Sequence, residues 1–432
     1  MAFEQTAQLT GNNYYTATAP SAPDFPALRG NIDADVCVVG GGLSGLSAAL
    51  ELAQRGFSVA LLESRKIAWA ASGRNGGQVI VGFSCGNEIF EQQLGLADAR
   101  RAWDISVEAA TLLYQRMNQL NIDCEFTPGW LLLAARKSHV AHLREWHEEL
   151  TNKYGYGEHV DYIPPSDISQ WTSSKHYFGA VYDHYSGHIH PRKYALGLAR
   201  ACVDAGVKIF EVSHVSSINR GTQPQVRSAN GTVRSRFVVL ATNVFSGDLE
   251  PKLDTRIMPV GGTVFATEPL EPSLAESLIR HRAAVCDSNF LLDYYRVTKD
   301  NRMLWGGGST YAKHDDLNRV ESLRQKMIAR YPELAQAKIE YSWGGMIDIS
   351  LSRAPDFNRL ADNIYYLQGF SGQGLALSGM AGKLAAEAIA GQAERFDVFA
   401  RLKHRPFPGG RMLRTPVLAL GTLYYRLRDA LS

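Results

Sequence analysis

Asp35-Val36-Cys37-Val38-Val39-Gly40-Gly41-Gly42-Leu43-Ser44-Gly45 is the stretch that decides how this chain is read. Val36 to Val39 is a short, uninterrupted apolar run, as expected of a parallel strand covered on both faces. After the glycines, Leu43, Leu46, Leu50 and Ala53 recur at helical spacing, and Gly56 is placed to end that helix in a left-handed conformation. Phe57-Ser58-Val59-Ala60-Leu61-Leu62-Glu63 then supplies a second strand and completes a βαβ unit. In this context Gly40-x-Gly42-x-x-Gly45 has a mechanical meaning: Gly40 permits the turn, Gly42 lets a pyrophosphate approach the backbone, and Gly45 lets helix pack on strand. The helix N-terminus at Leu43 and Ser44 offers unsatisfied N–H groups and the positive end of its dipole to the anion. Glu63, followed by Ser64, ends the second strand, where a carboxylate can accept hydrogen bonds from ribose hydroxyls and repel a 2′-phosphate. A merely structural glycine turn is the competing reading; strand, helix and Glu63 in register oppose it.

The rest of the chain sets limits. Its 432 residues allow two or three structural units around a large core. With 45 basic and 43 acidic side chains the formal charge is +2, so no excess points to nucleic acid or a strongly acidic partner. The N-terminus lacks a basic segment followed by an apolar core, and no apolar run reaches the roughly 18 residues of a spanning helix, so a soluble cytoplasmic protein is expected. Cys37, Cys85, Cys124, Cys202 and Cys286 are widely spaced with no C-x-x-C pair, which argues against structural zinc, any other metal centre and a disulfide framework.

Further segments return to the same sheet. A helix from about Pro191 to Ala205 leads through Val207-Lys208-Ile209-Phe210 to the strand Phe237–Ala241, and Asn363–Gln368 precedes a helix from about Leu375 to Ala390. Between them, residues 86–185 carry helices such as Ala97 to Leu120, while residues 255–350 alternate like antiparallel strands, with turns expected at Lys299-Asp300-Asn301 and Gly306-Gly307-Gly308. The expected fold is α/β: a discontinuous Rossmann-like nucleotide domain (31–84, 186–247 and 354–394) with a mixed antiparallel-sheet α+β substrate domain (85–185 and 248–353). Residues 1–30, with Pro20, Pro23 and Pro26, read as an extended surface arm, and 395–432 as a C-terminal tail. In the tail, apolar Val417 to Leu427 with nearby basic residues packs on its own domain, a subunit or a membrane surface, the first being preferred.

Two more glycine clusters extend the nucleotide site. Ala71-Ser72-Gly73-Arg74-Asn75-Gly76-Gly77-Gln78 is too polar for a core element, and such a loop can lie against a flat ring system, offering backbone N–H groups where side chains would collide. Gly369-Phe370-Ser371-Gly372-Gln373-Gly374 again joins a strand to a helix, whose N-terminus can face the end of a flavin where negative charge gathers on reduction. A second turn of this kind is not expected of a simple NAD dehydrogenase.

These three clusters together resemble the D-amino-acid oxidase superfamily of FAD oxidoreductases, over nearly the whole chain. Ser186-Gly187-His188-Ile189-His190-Pro191, Leu291-Leu292-Asp293-Tyr294-Tyr295-Arg296, Trp305-Gly306-Gly307-Gly308 and Glu394-Arg395-Phe396-Asp397 through Pro406–Arg411 narrow the resemblance to the gamma-glutamylputrescine oxidase family. The resemblance implies bound FAD, with Val215 and Gly372, Gln373 and Gly374 joining the cofactor contacts. It also implies hydride transfer from the carbon bearing a terminal amine, reoxidation by O2, and release of aldehyde, ammonia and hydrogen peroxide. Gln373 stands where relatives often carry histidine. Trp343-Gly344-Gly345-Met346 offers no cysteine to tether the flavin, so non-covalent FAD is expected.

On the substrate side, positioning rather than a catalytic triad is expected to dominate. Period two over Phe290–Arg296 puts Phe290, Leu292, Tyr294 and Arg296 on one face, so Arg296 either pairs with a substrate carboxylate beside Tyr294 or makes a structural salt bridge. His188, His190 and Gln373 are the candidates for assisting the chemistry, although either histidine is as readily a structural group before Pro191. Trp343 reads as a wall over the flavin or as core. Besides the amine oxidase, an amino-acid dehydrogenase passing electrons to a quinone and a flavin redox sensor without turnover remain open.

Overall fold

A computed structural model of the chain describes residues 12–247, 249–310 and 317–410. The tail from Val417 onward and the first eleven residues of the arm lie outside these. Among the described residues the strands form three sheets. The first has the order Asp356–Ala361, Ile364–Gln368, Phe237–Leu240, Val36–Val39, Val59–Leu62, Lys208–Phe210. All its pairings are parallel except the edge strand Asp356–Ala361. Every residue of Val36–Val39 and Val59–Leu62 is buried, as a parallel sheet covered on both faces requires.

One face of this sheet carries the helices Leu43–Gln54 and Leu377–Ile389, packed closely against each other. Gly382 makes the approach possible: a β-carbon there would stand 2.5 Å from both the Ala48 nitrogen and the Ser44 oxygen. The long helix Leu96–Gln119 joins the same core. Its buried Arg116 donates to Glu51 Oε1 and Ser47 Oγ, each at 2.8 Å, on the first helix. This helix, expected in the substrate domain, therefore belongs energetically to the nucleotide domain, because a buried guanidinium needs the acidic partner that only Glu51 supplies there.

The large mixed sheet follows the order Ile339–Ser350, Ile257–Thr267, Met303–Thr310, Tyr294–Val297, Ala284–Asp287, Thr127–Leu133, Ala180–His188, Gln78–Val79, with Val160–Ile163 also pairing on Ala180–His188. Gln78, Gly187 and His188 are thus strand partners within the substrate sheet, so the expected boundaries at 84 and 186 fall on the wrong side of this short pairing. Two other expectations fail locally. Gly306 and Gly307 lie inside a strand rather than at a turn, because the Tyr294 ring and the Asp293 carboxylate occupy the space side chains there would fill. The strand expected from Phe290 begins only at Tyr294; Phe290 and Leu292 are exposed.

The third sheet, Gly30–Asp33, Gly231–Arg234, Gln225–Ser228 and Val215–Asn219, has no counterpart in the sequence reading, since its first strand is polar and largely exposed. The arm also differs from expectation. Tyr14–Thr18 is a short helix capped by the Asn13 side chain, and both Tyr14 and Tyr15 are buried. Among the described residues, no helix is long and apolar enough to cross a membrane. All five cysteines are free thiols. Replacing Gly382 by alanine is expected to cost about 1–3 kcal/mol through overpacking of the helix pair. Chemical unfolding of the purified variant checks this, and unchanged stability would show that the two helices can slide apart.

Candidate functional site

A cavity of about 590 Å³ is lined both by Glu63 and by residues of the substrate sheet. At one end the Gly40 turn has φ +114°, and a β-carbon there would strike the Ala241 carbonyl. Gly40, Gly42, Leu43, Ser44, Glu63, Ser64 and Val215 all face the cavity. Gly45 does not; it lies behind, where any side chain would collide with the Gly40 carbonyl, so its role is helix–strand packing. Gly42, before the helix that starts at Leu43, offers no side-chain cap of its own, and the first helical N–H donates instead to Ser72 Oγ at 3.0 Å. Glu63 Oε2 accepts from Gly41 N at 2.7 Å and Oε1 from Arg65 N at 2.7 Å, while burial pushes its carboxyl above the ordinary range. A carboxylate has about four acceptor positions, so Glu63 keeps capacity for a ribose hydroxyl.

The Ala71–Gln78 loop forms the middle of the cavity. Ala71, Ser72, Arg74, Asn75, Gly76 and Gln78 line it, whereas Gly73 and Gly77 are turned away against the carbonyls of Ala68 and Ile189. The loop holds itself in shape: Asn75 Nδ2 donates to Ala71 O at 2.9 Å, and Asn75 Oδ1 accepts from Gly77 N at 2.8 Å. Gly372, Gln373 and Gly374 face it at the uncapped start of the helix Leu377–Ile389. Asp348 lines the cavity beside them, its carboxyl raised to about 7 by burial although it accepts from Gly369 N. Two helix N-termini without caps, a glycine-lined trough and an acid at the ribose position together fit a dinucleotide. Glu63, Gly42, Ser44, Ser72, Gly372 and Gln373 would hold it.

Beyond Gln78 the cavity becomes a chamber. Trp130, Trp146, Leu132, Ile80, Cys286 and Tyr294 form one apolar cluster, and all of them face the space. The two indoles stand nearly perpendicular, centroids 6.4 Å apart. Gln78 fastens chamber to loop: its Oε1 accepts from Trp130 Nε1 at 3.2 Å and from Cys286 Sγ at 3.0 Å. Of these, only Tyr294 and Gln78 were marked by the sequence. The rest come from two strands, a helix and a loop far apart in the chain, with no local pattern to single them out.

Four further expected site residues stand elsewhere. Arg296 is buried and does not face the cavity. Its guanidinium donates to Gly76 O at 2.9 Å, Ile189 O at 3.1 Å, Tyr15 Oη at 3.2 Å and His188 Nδ1 at 3.2 Å, which leaves it a structural group and not a carboxylate receptor. His188, also buried, donates from Nε2 to Arg282 O at 2.9 Å; burial and the Arg296 charge hold it neutral, well below its usual pKa. His190 accepts from Lys193 N at 3.2 Å, capping the helix Pro191–Asp204, and its Nε2 meets Thr18 Oγ1 at 3.1 Å. Neither imidazole reaches the cavity. Trp343 packs on Tyr15 and donates to Arg74 O at 2.9 Å, so it braces the loop from behind instead of walling the flavin. Gln373, which does face the cavity, cannot titrate.

Arg296→Met leaves two buried carbonyls without donors and is expected to cost about 3 kcal/mol or more. Thermal melts and flavin retention should both fall, with KM for an amine little changed in the flavin-loaded fraction; a native melt with a raised KM would return Arg296 to the substrate. Burial, with the Arg296 charge, lowers the His190 pKa from the ordinary 6.5 to about 3. Between those values the unfolded chain carries a proton that the folded one refuses, so this contribution to stability is present above 6.5 and is lost as pH falls toward 3. His190→Asn should flatten the stability–pH slope by up to about 1.4 kcal/mol per pH unit, as measured by urea unfolding across that window. An unaltered slope would mean that His190 takes up its proton as readily in the folded protein as in the unfolded chain.

The family model described as FAD dependent oxidoreductase (DAO) matches residues 35–388. The chain is 42% identical to gamma-glutamylputrescine oxidoreductase of Escherichia coli, covering 98% of this chain and 99% of that protein. It is 38% identical to the probable oxidoreductase OrdL of Haemophilus influenzae, over 96% and 97% of the two chains. Among solved structures, glycine oxidase from Geobacillus kaustophilus shares the fold with a TM-score of 0.73 at 21% identity, over 86% of this chain and 99% of that one. The uncapped helix ends, the glycine trough and the match along 35–388 lead to one assignment: the chain belongs to the DAO family of FAD-dependent oxidoreductases, enzymes acting on CH–NH2 donors.

Proposed function

We propose that this enzyme oxidises the terminal amine of gamma-glutamylputrescine, or of a close analogue, with O2 as electron acceptor. Amine, O2 and water give aldehyde, ammonia and hydrogen peroxide. The observation that carries this reading is the chamber of Trp130, Trp146, Leu132, Ile80, Cys286 and Tyr294, an apolar wall in which the described residues include no cationic side chain. An α-amino acid would bring a carboxylate on the very carbon that is oxidised, and burying it against this wall without a partner would cost several kcal/mol. An aliphatic amine has no such group. The extended similarity to the Escherichia coli oxidoreductase supports the same substrate class.

FAD, when bound, supplies the hydride acceptor. The chain's own residues hold the amine and strip it of water. Perpendicular indoles and the Tyr294 ring line a path for methylene groups, and their low polarity disfavours the ammonium form, so the amine becomes neutral as it enters. No histidine is needed at this end. His214, the histidine among the described lining residues, follows Ser213, whose N–H donates to Glu63 O at the ribose end. Non-covalent attachment of the flavin fits the same chemistry: Cys286 is the cysteine lining the cavity, and burial raises its thiol to about 12, far from the thiolate a tether requires.

The test is the anaerobic flavin spectrum with gamma-glutamylputrescine, putrescine and D-amino acids added separately, followed by air and a peroxide assay. Bleaching by gamma-glutamylputrescine, reversal by air and a flavin that enters the acid supernatant are expected. Bleaching by D-amino acids alone would sink the amine reading. Bleaching by the amine that only an added quinone reverses would make the enzyme a dehydrogenase.

A further inference from the structure

We propose that Asp348 tunes the reduction potential of the bound flavin, by holding the Gly369–Gly374 turn in shape and by keeping a negative charge behind the helix that the turn leads into. This role concerns the FAD site alone and does not depend on which amine is oxidised. Asp348 is buried near the end of the strand Ile339–Ser350 and lines the cavity together with its neighbours Ile347 and Ile349. Its carboxylate accepts from Gly369 N, and its backbone oxygen accepts from Ser371 N at 2.9 Å. Two residues on, Ser350 N donates to Ser371 Oγ at 3.3 Å. Gly369, Ser371 and Gly372 have φ of +80°, +51° and +90°, so the chain between strand and helix bends repeatedly in the left-handed region. A serine adopts that region only where its surroundings enforce it. Here the enforcing contacts run to Asp348 and Ser350.

Geometry alone does not call for an acid at this place. Other buried acids of the chain meet a cation: Glu51 lies 2.8 Å from Arg116 Nη2, and Asp293 lies 2.8 Å from Lys326 Nζ. Asp348 makes no ion pair among the described residues. The residues packed on it from neighbouring elements are Asn243, Pro259, Gly369, Phe370 and Ser371, none of which titrates. The other charged groups that line the same cavity, among the described residues, are Glu63, Arg74, His214 and Arg353. A carboxylate buried without a cation is costly, and a neutral acceptor would hold Gly369 N without that cost. The charge itself therefore has work to do.

What the turn leads to says where that charge acts. Gly372, Gln373 and Gly374 face the cavity, and the helix Leu377–Ile389 begins three residues later without a side-chain cap. The positive end of its dipole favours negative charge within about one turn. An ionised Asp348 behind the turn already answers part of that dipole, so less of it is left for the negative charge gathered on flavin reduction. Like charges also repel strongly in a site that excludes water. Ionised Asp348 thus lowers the flavin potential, and protonation of Asp348 lets it rise. Burial raises this carboxyl to about 7, so the two forms exchange near neutral pH.

The experiment uses flavin-loaded wild type, Asp348→Asn and Asp348→Ala, with no amine present. The flavin potential is read against a reference dye during slow reduction, at about pH 8.5 and again at about pH 5.5, and FAD dissociation is followed by flavin fluorescence. At the higher pH the asparagine variant should favour reduced flavin about tenfold or more over wild type at a fixed potential, which is about 30 mV for a two-electron couple. At the lower pH, where the wild-type carboxyl is protonated, the two should agree within about threefold. The alanine variant lacks any acceptor for Gly369 N and should release FAD about tenfold more readily than the asparagine variant. Equal potentials at the higher pH, or a difference that persists unchanged at the lower, would overturn the tuning role, because a purely structural acceptor has no charge to lose. Loss of flavin from both variants alike would overturn it too, and an alanine variant that keeps FAD as tightly as the asparagine one would remove the hold on the turn.

Discussion

A cation buried under the cofactor loop organises this molecule. Arg296 cannot shed its proton and cannot reach water, so every N–H it carries must find an oxygen or nitrogen in the interior. The acceptors come from three separate segments: Gly76 in the loop, Ile189 and His188 at the end of a long strand, and Tyr15 in the N-terminal helix. Satisfying one side chain thereby fixes the path of the loop, forces His188 into a neutral tautomer and draws the N-terminal helix into the core. Trp343 completes the support by donating to Arg74 O from the other side.

This network explains where the sequence was legible and where it was not. The Gly40 turn, the two buried strands and the acid at Glu63 can be read because each constraint is local: a backbone needing φ > 0, four consecutive apolar residues, a fixed spacing. Arg296 was set on a face with Phe290 and Leu292 because period two was carried through them, whereas the strand starts at Tyr294. Tyr14–Thr18 is too short to show a period, and its burial depends on partners more than 150 residues away. Trp130, Trp146, Cys286 and Arg353 each look unremarkable in their own segments; only the tertiary fold gives them a common cavity.

The cavity itself divides its work by polarity. Backbone N–H groups and Glu63 line the end that would hold the dinucleotide, whose phosphates would otherwise be costly to bury. In the proposed reaction, aromatic and aliphatic carbon would face the reacting end of the amine. Gln78 belongs to both, since its amide oxygen takes hydrogen bonds from Trp130 and Cys286 while its neighbours in sequence form the cofactor loop. A shift in either part is thus felt by the other through one side chain.

Trp146 enters the chamber from the helix His139–Asn152, which lies outside every sheet and rests on the strands Val160–Ile163 and Ala180–His188. The glycine turns and the Arg296 network are rooted in other elements. One wall of the substrate space is consequently modular: drift in a single peripheral helix can reshape which amines are accepted while the redox machinery stays under its own constraint. A scaffold divided in this way can diversify its substrates over evolutionary time without passing through forms that no longer hold their flavin.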